Sequence, residues 1–177
     1  MLMGWMTPDP VKEVKTMSVD VTSSQVVWKG YKVTGEHTGS VKIKSGDLVM
    51  EDGRLTGGSF VIDMTSITCT DLEGEWKDKL VGHLNSEDFF NTASFPTATM
   101  KIARVIPQDT KGNYKIQGNL TIKGITKPVK FFASVGQKGT SAMATASIKV
   151  DRSEYDVRYG SGSFFDNLGD KTIYDEF

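Results

Sequence analysis

The chain of 177 residues is long enough for one domain with its own hydrophobic core, and its 38% hydrophobic and 24% charged residues are ordinary for a globular protein. With 21 basic and 22 acidic residues the formal net charge is −1, and no block of Lys or Arg stands out. The sequence therefore lacks the basic footprint of a nucleic-acid-binding protein. It also contains no run of about 20 apolar residues, so no integral membrane segment is predicted.

The N-terminal region carries no clear periodicity. We predict that residues 1–23 form a loose arm ahead of a single domain over residues 24–177. Residues 1–8 are apolar, but they lack the charged start and the apolar length of a secretion signal. The sequence thus shows no export signal, which is expected to have been removed or never to have existed.

Alternating apolar residues mark the first long strands. Val41 and Ile43 alternate with lysines, and beyond Gly46 the apolar positions change parity, which predicts a β-bulge at the glycine. Asp52-Gly53 predicts a hairpin turn, because both residues tolerate the positive φ that a two-residue turn demands. The return strand should place three apolar side chains on one face, those of Phe60, Ile62 and Met64.

One segment, from Ser66 to Pro96, interrupts the strand pattern. Residues 70–73 (Thr-Asp-Leu-Glu) match a capping box, which satisfies free amides at a helix start. Gly82 can end the helix, and three apolar side chains recur at helical spacing before it, those of Leu72, Trp76 and Leu80. We predict a short helical insertion that caps one end of the fold.

The clearest alternation lies in the second half of the chain. From Asn113 to Lys123 every second residue is apolar or glycine and the others are polar, as in a strand with one face on a core and one in water. Similar patterns run over 98–102, 129–135 and 142–150, with Pro128 placed where a strand can begin. About eight strands with short Gly-containing turns predict an all-β fold, a single closed or nearly closed antiparallel barrel or else a sandwich.

The size of the inward residues decides whether such a barrel is filled or hollow. A barrel of about eight strands can be filled by its own side chains or can hold one ligand. Ala142, Ala144 and Ala146 follow one another on a presumed inner face, and Gly118 lies among large residues. These small residues favour space for an apolar ligand, and the alternative is that the alanines let the helical insertion dock.

Five motifs occur in a defined order, at residues 35–39, 55–67, 80–90, 95–98 and 118–129. From about residue 24 onwards they closely resemble the YceI-like family of bacterial polyisoprenoid-binding proteins. The resemblance implies a lipocalin-like antiparallel barrel with a long internal apolar tunnel and no catalytic constellation. It also implies a periplasmic or secreted carrier of isoprenoid chains or related lipids, such as quinones and fatty acyl amides.

Two features depart from the family pattern. Members usually carry an export signal, which this sequence does not show. They also usually continue with a further alternating strand after an acidic pair, whereas this sequence stops at Asp175-Glu176-Phe177. The last strand is therefore expected to be short or incomplete.

The predicted partner is a long-chain isoprenoid or another lipid, which the protein binds, sequesters or transports, and a homodimer is considered. No catalytic residue, metal or cofactor is predicted. The ligand is expected to contact side chains inside the barrel, near the helical insertion and at its mouth: Trp28, His37, Phe60, Ile62, Phe90, Phe95, Met100, Ile102, Ile116, Leu120, Phe131 and Ala144.

Two other functions stay open. A small lipid hydrolase or isomerase would use His37 or His83 as its base, although no nucleophile elbow or triad signature accompanies them. A ligand-free interaction module would have a barrel filled by its own side chains. No Cys, His and Asp residues have metal-ligand spacing around either histidine.

Three polar or reactive side chains have structural roles in this interpretation. His83 is expected to bond free carbonyls at the end of the predicted helix. Cys69, the only cysteine, is expected to be a small buried side chain. Arg152 is expected to pair with Asp63 or Asp88, or alternatively to hold a ligand's head group.

Overall fold

Eight β-strands and one α-helix form most of residues 12–177, the part of the chain that the computed structural model describes. The strands are β1 (Val14–Ser18), β2 (Val26–Lys32), β3 (Gly35–Glu51), β4 (Arg54–Cys69), β5 (Thr97–Pro107), β6 (Asn113–Ile122), β7 (Ile125–Lys138) and β8 (Ser141–Ser147). Helix α1 (Gly74–Asn85) lies between β4 and β5. Two short 3₁₀ helices, Arg152–Tyr155 and Gly169–Lys171, follow β8.

All strand pairs are antiparallel, and the sheet order is β1-β3-β4-β5-β6-β7-β8. Strand β2 pairs with the first half of β3, and β1 pairs with its second half. The sheet curls into a nearly closed barrel with one short helix, which confirms the predicted all-β barrel. No helix within residues 12–177 has the length and apolar character needed to cross a membrane.

The alternation of β6 places its two faces as the sequence predicts. Tyr114, Ile116 and Leu120 are buried in the core, whereas Asn113 and Asn119 are exposed. The neighbouring strand continues the same face, since Ile116 lies opposite the buried Phe131. Strand alternation therefore fixes which side chains form the interior of this wall.

The first long hairpin confirms two local predictions. Asp52 and Gly53 both have positive φ, at 47° and 76°, as a tight hairpin turn requires. The predicted change of parity in β3 is also present, but its register shift lies between Ile43 and Ser45 rather than at Gly46. Gly46 instead allows close packing, because a Cβ there would lie 2.8 Å from the ring of Phe60.

The segment predicted as a loose arm, residues 1–23, contains a strand in its described part. Strand β1 pairs with β3 from Ser18 opposite Asp47 to Val14 opposite Glu51. Its pattern is weak in the sequence because four of its five residues are exposed. The prediction for residues 1–11 lies outside the described residues.

The predicted helix boundaries are wrong by about one turn. Helix α1 starts at Gly74, and its N-cap residue, Glu73, makes no side-chain capping bond. The Thr70 hydroxyl donates to the carbonyl of Thr38 in β3 instead of capping the helix. Gly82 lies inside the helix, which presents Leu80 and Leu84 to the core and leaves Trp76 exposed.

Pro128 also lies inside a strand rather than at its start. Strand β7 begins at Ile125, and Pro128 is paired with Asn119 of β6. Strand β8 pairs with β7 only from Phe132 onwards. On that side of β7, Pro128 therefore has no neighbouring strand to which a backbone N–H would have to donate.

The C-terminal residues join the two edges of the sheet at the end that carries α1. Tyr174 donates its backbone N–H to Tyr31 at the end of β2, and Phe177 and Val150 exchange two backbone hydrogen bonds. Glu176 forms a bridge with Asp151. We call this junction, formed by residues 173–177 with the end of β2 and residues 150–152, the closed seam. Residues 173–177 make isolated bridges here and not a further ladder.

The boundary between strands β8 and β1, the other place where the sheet must close, is joined differently. Within residues 12–177, no ladder of backbone hydrogen bonds connects β8 to β1. The Lys15 ammonium of β1 reaches across and donates to the carbonyl of Thr140, in the turn before β8, over 3.4 Å. We call this boundary between β8 and β1 the open seam.

Candidate functional site

Most of the twelve predicted ligand contacts lie together in the barrel interior. Nine belong to one apolar cluster. Five of the nine are buried, namely Phe90, Met100, Ile116, Leu120 and Phe131, and four are half-buried, namely Trp28, Phe60, Ile62 and Ile102. The half-buried Phe95 packs near the turn between β6 and β7, 3.3 Å from where a Cβ on Gly124 would lie. His37 and Ala144 lie apart from this cluster.

The interior is more tightly packed than a hollow barrel. Gly118, predicted to leave space, instead permits a close approach, since a Cβ there would lie 2.9 Å from the Met100 sulfur and 3.1 Å from the Lys101 carbonyl. The core contains two further buried methionines, Met50 and Met64. Methionine side chains are unbranched and repack readily. The interior is therefore filled, but partly by side chains that can move.

The alanines of β8 face the same interior and remain accessible. Ala144 lies opposite the buried Val135, yet Ala144 itself is exposed. Ala146 is also exposed and lies opposite Ala133, which in turn pairs with the buried Tyr114. Helix α1 packs against β4. The alanines thus border the open seam, and no docked helix accounts for their small size in the described residues.

A broad, open cleft of about 630 Å³ lies across β6, β7 and β8. Its lining includes three residues of the inner face, Tyr114, Ala133 and Ala146, together with outward-facing neighbours on the same strands such as the exposed Phe132. None of the twelve predicted contact residues lines this cleft. Ala146, the inward residue of β8 that lines the cleft, lies two residues along the strand from the predicted Ala144.

His37 belongs to a polar cluster next to the start of the helical insertion. Its Nδ1 lies 3.0 Å from one carboxylate oxygen of Asp71, and the Cys69 thiol donates to the other oxygen over 2.9 Å. The backbone N–H of Thr38 donates to that second oxygen over 3.1 Å. Asp71 therefore fastens the chain that leads into α1 to strand β3.

The charges of this cluster shift two pKa values in opposite directions. The hydrogen bond from Cys69, followed by those from His37 and Thr38, lowers the pKa of Asp71 to about 2. Burial, and then the neighbouring Asp71 carboxylate, raises the pKa of the Cys69 thiol. Cys69 is 0% exposed, as the sequence predicts, and its thiol faces a carboxylate rather than an imidazole. This arrangement does not activate the thiol as a nucleophile.

Arg152 is buried and holds the closed seam together. Its guanidinium donates to three backbone carbonyls over 2.8–3.1 Å, those of Val157, Ile173 and Tyr174. Its charge is balanced by Asp175, whose carboxylate lies 3.4 Å away. The predicted pairing with Asp63 or Asp88 is wrong, because closure of the barrel brings the C-terminal residues to this side chain.

His83 lies in the last turn of α1, but its ring does not bond the helix carbonyls as predicted. The ring centroid lies 4.3 Å from that of Tyr159 and 5.5 Å from that of Phe89, both in edge-to-face geometry. The carbonyl of His83 accepts from the backbone N–H and the hydroxyl of Ser86 instead. Its Nε2 atom is buried and has no hydrogen-bond partner among the described residues.

Known proteins match this chain in sequence and in fold. A YceI-like domain matches residues 17–177. The chain belongs to the YceI-like family. At 22% identity, the crystal structure of Burkholderia cenocepacia BcnA superposes with a TM-score of 0.68 and covers 89% of this YceI-like chain and 93% of its own. A Campylobacter jejuni YCEI protein superposes with a TM-score of 0.52 at 16% identity, and the match covers 100% of this chain and 84% of that protein. At these identities the two structures support the fold alone.

Two curated relatives of this YceI-like chain come from other bacteria. UPF0312 protein VPA0850 of Vibrio parahaemolyticus is 29% identical over 133 residues, which are 69% of this chain and 66% of the relative. A UPF0312 protein of Shewanella oneidensis is 32% identical over 124 residues, 60% and 61% of the two chains. The chain thus spans about two thirds or less of the length of the curated relatives it matches.

Three residues of this YceI-like barrel were missed as site candidates. Asp71 appears in the sequence only as part of a capping box, and Asp175 only as one of a terminal acidic pair. Tyr155 is 0% exposed in the core, and its only sequence signal is its place three residues after Arg152. No group of three Cys, His, Asp or Glu residues within 12–177 is arranged to hold a metal ion.

Proposed function

We propose that this YceI-like barrel binds a long-chain apolar ligand of the polyisoprenoid, quinone or fatty acyl amide type, and so sequesters or transports it. The observation that carries the proposal is the inner face of β8, where Ala144 and Ala146 stay accessible beside an apolar interior. An antiparallel wall with small inward residues and an unpaired edge can admit a chain that a fully laddered barrel would exclude.

The driving force would be removal of apolar ligand surface from water. At about 25 cal/mol per Å², an illustrative 300 Å² of buried chain corresponds to about 7.5 kcal/mol before the losses of association. Because the interior is packed, part of this energy must move resident side chains. Met50, Met64 and Met100 are the side chains best suited to repack around a ligand.

The ligand-free alternative has one observation in its favour, the buried packing of residues such as Ile116 and Phe131. It does not account for accessible alanines on an inward face. A lipid hydrolase or isomerase is less well supported. His37 is bonded to Asp71, and Nε2 of His83 is buried between aromatic rings.

A pair of neighbouring substitutions on β8 tests the proposal. Ala144→Trp fills the inner face. Met143→Trp adds the same ring at the preceding residue, whose side chain is exposed on the other face. We expect the first variant to lose binding of the fluorescent apolar probe N-phenyl-1-naphthylamine and the second to retain it, with equal melting temperatures. Native mass spectrometry after organic extraction would identify any copurified lipid. Equal probe binding by both folded variants would remove the β8 face from the site.

The proposed periplasmic or secreted location is supported by the family alone, and a homodimer is proposed beside it. Cell fractionation of the producing bacterium, with a cytoplasmic and a periplasmic marker enzyme, tests the location. Light scattering coupled to size-exclusion chromatography tests the dimer, whose mass would be twice the 19.4 kDa of the chain.

A further inference from the structure

The charges of the chain are divided unevenly between two parts of the fold. Of its 21 Lys and Arg and 22 Asp and Glu residues, the segment from the start of β5 to the end of β8 contains eight basic residues and one acidic residue, Asp109. That segment, residues 97–147, therefore has a formal charge of +7. The rest of the chain keeps 13 basic and 21 acidic residues, a formal charge of −8. We call the four strands β5–β8 the basic wall.

The register of the strands gathers four of these cations on the outer face of the basic wall. Arg104 and Lys130 lie in one row across the sheet, since both are paired with Gln117 of β6. Lys115 lies two residues from Gln117 on the same face, and Lys101 of β5 is exposed there too. Neighbouring strands are about 4.8 Å apart, so the backbones of Arg104 and Lys130 are about 10 Å apart, one Debye length at 0.1 M salt. The cations therefore act together on an approaching anionic surface.

No carboxylate neutralises these four cations among the described residues. The four strands contain no Asp or Glu, and every ion pair that the described residues form lies outside them. Asp109 lies in the turn between β5 and β6, where its carboxylate accepts from the backbone N–H groups of Lys111 and Asn113. The positive potential of the outer face is thus not cancelled locally.

Two large apolar side chains share this outer face. Phe132 of β7 is 64% exposed and lies directly opposite Lys115, and Met143 of β8 is 76% exposed. Phe132 also lines the open cleft of about 630 Å³. Exposed apolar side chains among cations are typical of peripheral membrane-binding surfaces. The apolar groups enter the boundary between headgroups and acyl chains, and Lys and Arg contact anionic headgroups.

A nucleic acid would use this face less well than a bilayer would. Proteins that bind single strands offer several aromatic side chains on which successive bases stack, and Phe132 is the one exposed aromatic residue in the described part of the basic wall. An aqueous polyanion would also leave Phe132 and Met143 in water. A bilayer satisfies both the cations and the apolar side chains.

We propose that the outer face of the basic wall docks on the surface of an anionic phospholipid bilayer. Phe132 and Met143 lie at the level of the headgroups, with Lys101, Arg104 and Lys130 over their phosphates. The acidic remainder of the molecule points away from the bilayer, and the edge of β8 at the open seam lies beside it. The inference concerns the outer surface, goes beyond ligand binding in the interior, and can be tested without any ligand.

Cosedimentation of the full chain with lipid vesicles tests the inference. One set of vesicles contains phosphatidylcholine alone, and the other contains phosphatidylcholine and phosphatidylglycerol in equal parts. We expect binding to the anionic vesicles at low ionic strength, weak binding to the neutral ones, and release at about 1 M NaCl, where the Debye length is about 3 Å. Equal binding to both sets, or binding to neither, would overturn the inference.

A pair of double variants with the same net charge locates the surface. Each cation near an anionic membrane strengthens binding by about fivefold, so Lys101→Glu with Lys130→Glu should weaken binding by at least about 25-fold. The control is Lys79→Glu with Lys171→Glu, at two exposed lysines outside the basic wall. It should change binding by less than about twofold, because salt screens distant charges. Equal losses in the two variants, with equal melting temperatures, would show an effect of net charge alone and overturn the inference.

Phe132→Ser tests the apolar part of the contact. Its exposed ring contributes to the membrane contact, so we expect binding to the anionic vesicles to weaken by about three- to tenfold. Phe165→Ser, at an exposed phenylalanine of the C-terminal region, is the matched control and should bind as the parent protein does. Parent-like binding by Phe132→Ser would overturn the assignment of this face to a bilayer. Tighter binding to a single-stranded DNA oligonucleotide than to the anionic vesicles would overturn it as well.

Discussion

The barrel wall is joined in two different ways at its two ends. At the closed seam, the C-terminal residues bridge β2 and residues 150–152 through backbone hydrogen bonds. Arg152 donates to two of their carbonyls and to the carbonyl of Val157. At the open seam, β8 and β1 are linked by the Lys15 side chain, and inward alanines remain accessible. The contrast teaches that this fold concentrates its buried polar contacts at one end and leaves apolar access at the other.

The largest expected effect comes from removing the clamp of the closed seam. Arg152→Met leaves three carbonyls without their donor and removes the charge that faces the Asp175 carboxylate. Loss of one partner of such a buried pair is destabilising by about 3–5 kcal/mol. The melting temperature should fall by roughly 6–20 °C, as measured by calorimetry.

Arg158→Met is the matched control for that experiment. Arg158 is exposed and pairs with Asp156 at the surface, so its loss should change the free energy of unfolding by no more than about 0.5 kcal/mol. If the two variants have the same melting temperature, the stability of the closed seam does not depend on Arg152.

A second expected effect concerns the protection of backbone amides. The amides of Tyr174 and Phe177 donate across the closed seam, whereas one edge of β8 has no partner strand among the described residues. Hydrogen exchange followed by mass spectrometry should show slow exchange in the C-terminal peptide and in β6. Peptides from β8 should exchange faster than those from β6 by about two orders of magnitude or more. Uniform protection along β6, β7 and β8 would show that the seam is not open in solution.

The smallest expected effect is a pH dependence from Asp71, near the start of α1. Its pKa is depressed to about 2 from the usual 3.8, so its contribution to stability is present above about pH 4 and is lost as the pH falls toward 2. Asp71→Asn should lower stability at pH 7 and flatten its decline over that acid range, as measured by urea unfolding at several pH values.

The control for that measurement is Asp88→Asn, at an exposed carboxylate. The free energy of unfolding of this variant should fall with decreasing pH in the same way as that of the parent protein. An Asp71→Asn profile that also matches the parent would show that the bonds to Cys69, His37 and Thr38 do not favour the charged carboxylate.

Local sequence patterns predicted the strands well because alternation and turn chemistry act over a few residues. The faces of β6 and the Asp52-Gly53 turn follow directly from side-chain size and backbone preference. The helix start could not be predicted in the same way. The Thr70 and Asp71 side chains bond strand β3, more than 30 residues earlier, and so they do not cap the helix.

The candidate site was predictable only in part, for a similar reason. Small inward residues indicate space, but the sequence does not distinguish the close contact of Met100 at Gly118 from the accessible edge at Ala144. The partner of Arg152 also depends on how the barrel closes, because Asp175 reaches it only through the closed seam. Residues that act through long-range closure leave no periodic signal.

The composition of β8 has a further consequence for behaviour at high concentration. An unpaired strand edge is a template on which another chain can add, and this is a route to aggregation. The seven residues of β8, Ser141–Ser147, offer mostly alanine and hydroxyl side chains, with Met143 as the one large apolar group. A strand that added there would bury little apolar surface, so the edge is a poor seed for intermolecular sheets even though it is open.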